Sequence, residues 1–236
     1  MSGATSRRDF LRSSGALIVS FSASGLAGHA GLAQGPFGTR ASHIDPARLD
    51  SWIAVAADGT VTAHTGKCEL GQGMFTAQLQ LIAEELVVPV ARVRLIECDT
   101  DVTPDQGTTS GAQSHPTNFN QGALALACAT ARQALLQMGA TRLGMAADSL
   151  TAKDGTVISK ADASKKVSYA ELIGGKKFNL TLNTAAKRKN PGEWTVLGTP
   201  TPRIEIPAMA TGDFEYVQNV RLPGMLHGQV VRPPAM

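Results

Sequence analysis

Two stretches rich in glycine, amide and hydroxyl groups hold the residues most capable of chemistry. They are Gly66–Gly73, with the sequence GKCELGQG, and Asp105–Ser114, with the sequence DQGTTSGAQS. Each follows a short apolar strand pattern and leads into a helical one. Loops of this kind aim backbone N–H groups and small hydroxyls at a guest. The positive end of the following helix dipole adds to the pull, so the expected guest is an anion. Two such loops in tandem point to a large polyanionic cofactor gripped from one side.

Individual residues in the loops carry alternative readings. Gly71 and Gly73 either permit a tight helix entry or bring the backbone close to a ligand. Gln72 stands between them, placed to donate an amide proton. Ser110 and Ser114 cap the helix that follows, a role compatible with holding phosphate. Glu69 reads as structural rather than as a general base. Beyond the loops, His115 precedes Pro116 and marks a turn, His64 and His227 fall on strands, and Glu84 and Glu85 read as a solvated helix face. The three cysteines form no Cys-x-x-Cys pair, so no zinc or iron–sulfur site is expected from this chain. Cys98 and Cys128 lie on apolar stripes and read as core. Cys68, in the first loop, is the one to watch, with a structural role favoured over a reactive one.

The elements that must position these loops follow from periodicity. Trp52–Ala56 and Val61–Thr65 flank Asp58-Gly59, a strong hairpin signal. After the first loop, Leu79, Ile82, Ala83 and Leu86 recur at helical spacing until Pro89. Val93–Cys98 reads as a strand, and after the second loop Leu124, Ala127, Cys128, Ala131, Leu135 and Met138 mark one face of a longer helix. The predicted order is β–β–loop–α–β–loop–α, a mixed α/β (α+β) class with both loops at the carboxyl ends of strands. Ligands sit at that edge in open α/β sheets. A small β excursion turning at Asp154-Gly155 follows, then a short helix capped by Ser168, then a polar surface loop over 176–189. From Gly198 prolines interrupt short β-type runs such as Phe214–Val217, and Leu226–Val231 reads as an apolar strand. This resembles the opening of a second, β-rich domain.

The 236 residues suffice for one good-sized domain or two small ones. Net charge is only +3, and residues 1–33 contribute three arginines against one aspartate. The nearly neutral remainder gives no footprint for nucleic acid, and Lys187–Lys189 reads as a solvated basic turn. Ser6–Arg12 (SRRDFLR) followed by the apolar Gly15–Phe21 matches a twin-arginine export signal, too short for a permanent membrane anchor. Cleavage near Ala30 or Ala33 is expected, although some exported subunits keep such a segment as a tether, which leaves membrane association open. The twin-arginine machinery moves folded proteins, the usual route for one that receives its cofactor in the cytoplasm. A periplasmic or otherwise exported location follows.

The GKCELGQG loop, Ala83–Leu86, Asp99-Thr100 and the Gly107–Ser114 loop together resemble the molybdenum-cofactor subunit of the xanthine dehydrogenase/aldehyde oxidase family, in its exported isoquinoline 1-oxidoreductase-like branch. Pro202–Pro207, Gly212–Val217, Arg221–Gly228 and Arg232–Pro234 resemble the entry to that family's α/β hammerhead domain. The resemblance therefore divides the chain into an export segment at 1–33, a partial molybdenum-cofactor domain at 45–197 and a truncated hammerhead start at 198–236. It implies a molybdenum–molybdopterin cofactor, in the cytosine dinucleotide form as in bacterial relatives, that hydroxylates an electron-poor C–H of an N-heterocycle or aldehyde with water-derived oxygen. It also implies a 2Fe–2S cluster on a separate small subunit, a c-type cytochrome as electron acceptor, and the remainder of the large subunit as partners. Carried over by motif, Leu70, Gly71, Gln72 and Gly73 would approach the pterin and the metal's oxo side. Thr109, Ser110, Gly111, Ala112, Gln113 and Ser114 would hold the pterin and phosphate region. Ala112 departs from the pattern, which has serine there. The family's catalytic base has no counterpart here, so no residue of this chain is assigned as catalytic or as a metal ligand. The chain alone is expected to be inactive. The rival expectation is a non-catalytic exported fragment that binds a pterin, a nucleotide or a partner subunit.

Overall fold

The computed structural model describes residues 44–109, 118–119 and 123–232. The export segment, Ser110–Ser114 and His115 lie outside the described residues.

Strand β1 (Ile53–Val55) turns through Asp58-Gly59 into β2 (Val61–Thr65), pairing antiparallel with Ile53 opposite Ala63. Gly59 takes the left-handed conformation the turn needs, φ 83°. From β2 the chain runs through the first loop into helix α1 (Met74–Leu86) and returns as β3 (Val93–Glu97). β3 lies parallel to β2, with Thr65 opposite Glu97. This β–loop–α–β crossover brings the carboxyl ends of β2 and β3 side by side. The alternation of buried and half-exposed residues along β2 matches a sheet with one face on the core.

Helix α2 (Ala123–Leu143) packs on α1, with Leu124, Ala127, Cys128, Ala131 and Leu135 fully buried as their spacing predicts. It also packs on a second sheet, wholly antiparallel, of β4 (Leu150–Lys153), β5 (Thr156–Ser159) and β6 (Lys166–Ser168). Gly139 lets the helix close on that sheet, since a Cβ there would stand 2.6 Å from Val157 Cγ1. Helix α3 (Tyr169–Leu172) begins in the predicted place, where Ser168 accepts from the Glu171 amide and Glu171 answers at the Ser168 amide. The buried Tyr169 hydroxyl donates to Leu86 O at 2.9 Å and ties this unit to the end of α1.

Three expectations change. Glu84 and Glu85 are not a solvated face, being 1 % and 0 % exposed in the middle of the packing. The basic run opposite them is not free either, because Arg188 pairs with Glu85 and Lys189 with Glu84. Two buried carboxylates on a helix are thus neutralised by half-buried cations from a distant run of the other sign. Finally, Phe214–Val217 and Leu226–Val231 are not strands. Among the described residues, 198–232 hold only the short helix α4 (Ile206–Thr211) and a single 3-10 turn at Val217–Asn219. Leu226 is 92 % and Val231 91 % exposed, with no second strand beside them to complete a ladder.

Candidate functional site

The two loops meet. Gly66 opens the first under such close approach that a Cβ would lie 2.3 Å from Pro104 O. Lys67 is buried, and its ammonium donates to the carbonyls of Gln106 at 2.7 Å and Thr108 at 2.8 Å. The Cys68 amide donates to the Thr109 hydroxyl at 3.1 Å. Cys68 is also disulfide-bonded to Cys98, with Cα atoms 5.6 Å apart. Cys98 is thus no plain core residue: β3 ends one position before it and turns its side chain toward the first loop. Cys128 is the buried core cysteine expected.

Under the loops runs a ring of side-chain hydrogen bonds. Glu97 accepts from the Glu69 amide (3.2 Å) and from Gln78 Nε2 (2.7 Å). Asn118 Nδ2 donates to Gln78 Oε1 (2.6 Å) and to Thr65 Oγ1 (3.0 Å), and Gln106 Nε2 donates to Asn118 Oδ1 (2.8 Å). Gln106 Oε1 closes the ring by accepting from Thr65 Oγ1 and the Gly66 amide, both at 2.8 Å. A satisfied buried network fixes one arrangement, because any shift leaves polar groups unpaired. Sequence reasoning missed Lys67, Gln78, Glu97, Gln106 and Asn118. The available signal was Gln78, a polar side chain amid the apolar positions of α1.

The first loop does not present its amides as an open anion nest. The Glu69 carboxylate folds back and accepts from the amides of Gly71 (2.6 Å), Gly73 (3.0 Å) and Phe75 (2.9 Å). It therefore occupies the N-terminal donors of α1, the structural role expected of it. Burial opposes its charge, but those amides and Arg203 outweigh it and hold its pKa below the ordinary glutamate value. Arg203 spans from Glu205 to Glu69 and donates to Gly71 O at 3.0 Å. Gln72 donates to Cys68 O at 3.0 Å, and its Oε1 accepts the Leu70 amide. What remains outward is Leu70, 65 % exposed, and the space above Gly71, where a Cβ would meet nothing within 4 Å. Of the second loop's predicted residues only Thr109 is among those described, and it touches the first loop.

Glu97 is the ionisable member of the ring. Burial raises its pKa to about 7, the Glu69 amide and Gln78 pull it down, and the carboxylates of Glu69 and Glu205 push it up. The folded protein thus keeps a proton that the unfolded chain releases near 4.5. The stabilising contribution is complete below that value and disappears as pH rises to about 7. Subtracting the pH–stability curve of Glu97→Gln from that of the parent should isolate a loss of about 3 kcal/mol over this window. Parallel curves would show that Glu97 does not hold that proton.

The model of the molybdopterin cofactor-binding domain family matches residues 23–214. The chain belongs to this family. Its mixed α/β fold is the one the resemblance implied. A nicotinate dehydrogenase subunit from Pseudomonas putida is 39 % identical over 203 residues, 84 % of this chain and 17 % of that protein. The beta subunit of isoquinoline 1-oxidoreductase from Brevundimonas diminuta is 26 % identical over 266 residues, 97 % of this chain and 33 % of that protein. The chain therefore spans a third or less of the length of those relatives. A solved quinoline 2-oxidoreductase from Pseudomonas putida aligns over 51 % of this chain and 15 % of its own, at 24 % identity and a TM-score of 0.44.

Proposed function

We propose that this chain is the N-terminal part of an exported molybdenum hydroxylase large subunit, contributing two cofactor loops and inactive until the rest of the subunit is present. The observation that carries the reading is the side-by-side placement of both loops at the ends of parallel strands, locked by Lys67, Thr109 and the ring below. The donor set fits part of the cofactor. With the amides of Gly71, Gly73 and Phe75 held by Glu69, the outward face of the first loop offers the apolar side chain of Leu70 and the open backbone at Gly71. That surface suits a flat heteroatom-rich ring better than a phosphate, which leaves the phosphates to the second loop.

When bound, the molybdenum centre would supply two-electron oxidation of an electron-poor C–H carbon with water-derived oxygen. In this chain, Leu70 would pack on the ring system, Gln72 would offer the cofactor the Nε2 proton not given to Cys68 O, and Thr109 with Ser110–Ser114 would hold the pterin and phosphates. Glu69 and Arg203 would keep the first loop's shape, and no residue here would move the substrate's proton. The substrate class is an N-heteroaromatic compound or an aldehyde, and the names of the two relatives support the former. A cytosine dinucleotide form of the cofactor, a 2Fe–2S small subunit, a c-type cytochrome acceptor and twin-arginine export complete the proposal.

Co-expression with the remaining portion of a relative's large subunit tests it through molybdenum and pterin content. Gln72→Ala should lower turnover by roughly a hundredfold, the scale for losing one preorganised donor, and a bulky residue at Gly111 should lower metal loading severalfold. If both variants load and turn over like the parent, the site assignment is wrong.

A further inference from the structure

The Cys68–Cys98 bond lies where it controls the candidate cofactor face. Cys98 is fixed from below, since its amide donates to Thr65 O at 2.9 Å at the end of the β2–β3 ladder. Cys68 is the junction above: its carbonyl receives Gln72 Nε2 and its amide reaches the Thr109 hydroxyl. The bond therefore anchors to the sheet a residue that touches both Gln72 and Thr109. Both cysteines are only half-buried, within reach of a reagent. The remaining cysteine, Cys128, is fully buried in α2, where burial and the Glu85 carboxylate raise its thiol pKa and keep it out of exchange.

Thiols stay reduced in the cytoplasm and oxidise in the periplasm. Given export after cofactor loading, which belongs to the function proposed above, the two states of this pair fall on opposite sides of the membrane. We propose that Cys68–Cys98 is a post-export latch: open as a dithiol while the cofactor enters, then closed as a disulfide that holds Gln72 and Thr109 against the bound group. Closure needs a disulfide-type oxidant. One cysteine thiolate attacks it to form a mixed disulfide and release a thiol. The second thiolate displaces the other thiol, so the pair loses two electrons and two protons while the oxidant becomes two thiols.

The test uses the chain with its natural N-terminus, alongside the companion portion, in a host with twin-arginine export. Cells are fractionated at neutral pH with a membrane-permeant maleimide present throughout, so that free thiols are blocked natively, and the protein is then weighed by mass spectrometry. The latch predicts two labels on cytoplasmic protein and none on periplasmic protein, with Cys128 labelled only after denaturation. Adding a dithiol to the periplasmic protein should speed pterin release into a filtrate at least tenfold, and Cys68→Ser should release at that fast rate with or without dithiol. Periplasmic protein with two free thiols, or a release rate indifferent to reduction, overturns the latch while export stands. Protein that never leaves the cytoplasm, or carries no pterin, overturns the functional reading instead, and in the latter case the thiol count still decides whether the bond forms.

Discussion

Replacing Glu85 with alanine should lower the thermal midpoint by roughly 10 °C, from a loss of about 3–5 kcal/mol. Glu85 is 0 % exposed and anchors two cations, Arg132 Nη1 at 3.1 Å and Arg188 Nε at 2.9 Å. Its second oxygen also receives the Lys189 amide at 3.3 Å. The alanine variant strands two guanidinium groups beside α1, each less than a fifth exposed. The penalty comes from those abandoned charges more than from the lost attraction. Total stability of a domain this size is about 5–15 kcal/mol, so the loss is a large fraction of it. A second variant separates the two causes. Glu85→Leu combined with Arg132→Met and Arg188→Met removes the charges together and should recover most of the midpoint in a circular dichroism melt. A Glu85→Ala midpoint within a degree of the parent would mean that the buried pairs do not form in solution.

The second large effect is local. Glu84 Oε2 accepts the amides of Thr195 (2.8 Å), Val196 (2.6 Å) and Leu197 (3.1 Å), and its other oxygen pairs with Lys189. Farther on, Gln80 Nε2 donates to Val196 O, Thr199 O and Thr201 Oγ1, and Ile204 donates to Thr76 Oγ1. Residues 195–205 therefore form a strap across α1 that ends with Arg203 on the first loop. Without the Glu84 carboxylate three part-buried amides lose their acceptor, at up to about 1–3 kcal/mol each where water does not replace it. Swinging the strap into water is the cheaper response. Glu84→Ala should accordingly speed tryptic cleavage after Arg203 by roughly 30–100-fold, a local opening gain of about 2–3 kcal/mol, with a smaller change in global midpoint than Glu85→Ala. Burial opposes the Glu84 charge, but Lys189 and the three amides prevail and lower its pKa. Its contribution is thus present above the ordinary carboxylate range, and acid should release the strap as pH falls through the depressed value. Cleavage no faster in Glu84→Ala than in the parent would remove the strap from the account.

Both effects rest on residues that periodicity assigned to solvent, and the reason is physical. Glu84 and Glu85 stand outside the apolar stripe of Leu79, Ile82 and Leu86, so a helix packed on one side would expose them. Here α1 is enclosed twice, by α2 and by the chain segment from Arg188 to Glu205, and the second enclosure arises from contacts more than 100 residues apart in sequence. The complementary charges of Glu84-Glu85 and Arg188-Lys189 were a usable signal only as a pair. Cys98 was misjudged for a related reason. Its alternation suits a strand interior, yet the strand stops at Glu97, and a left-handed backbone at Cys98 (φ 51°) takes the side chain off the sheet pattern.

The sequence by itself determined the β–β–loop–α–β–loop–α order, the hairpin, the α2 core face, the Ser168 cap and the family, because each depends on spacing within a few residues or on a compact motif. Only the tertiary structure decided how the first loop spends its amides, which polar groups join the two loops, and what covers α1. Those outcomes turn on which distant partner reaches a donor or a charge first, and burial energetics settles that competition where local pattern has no vote.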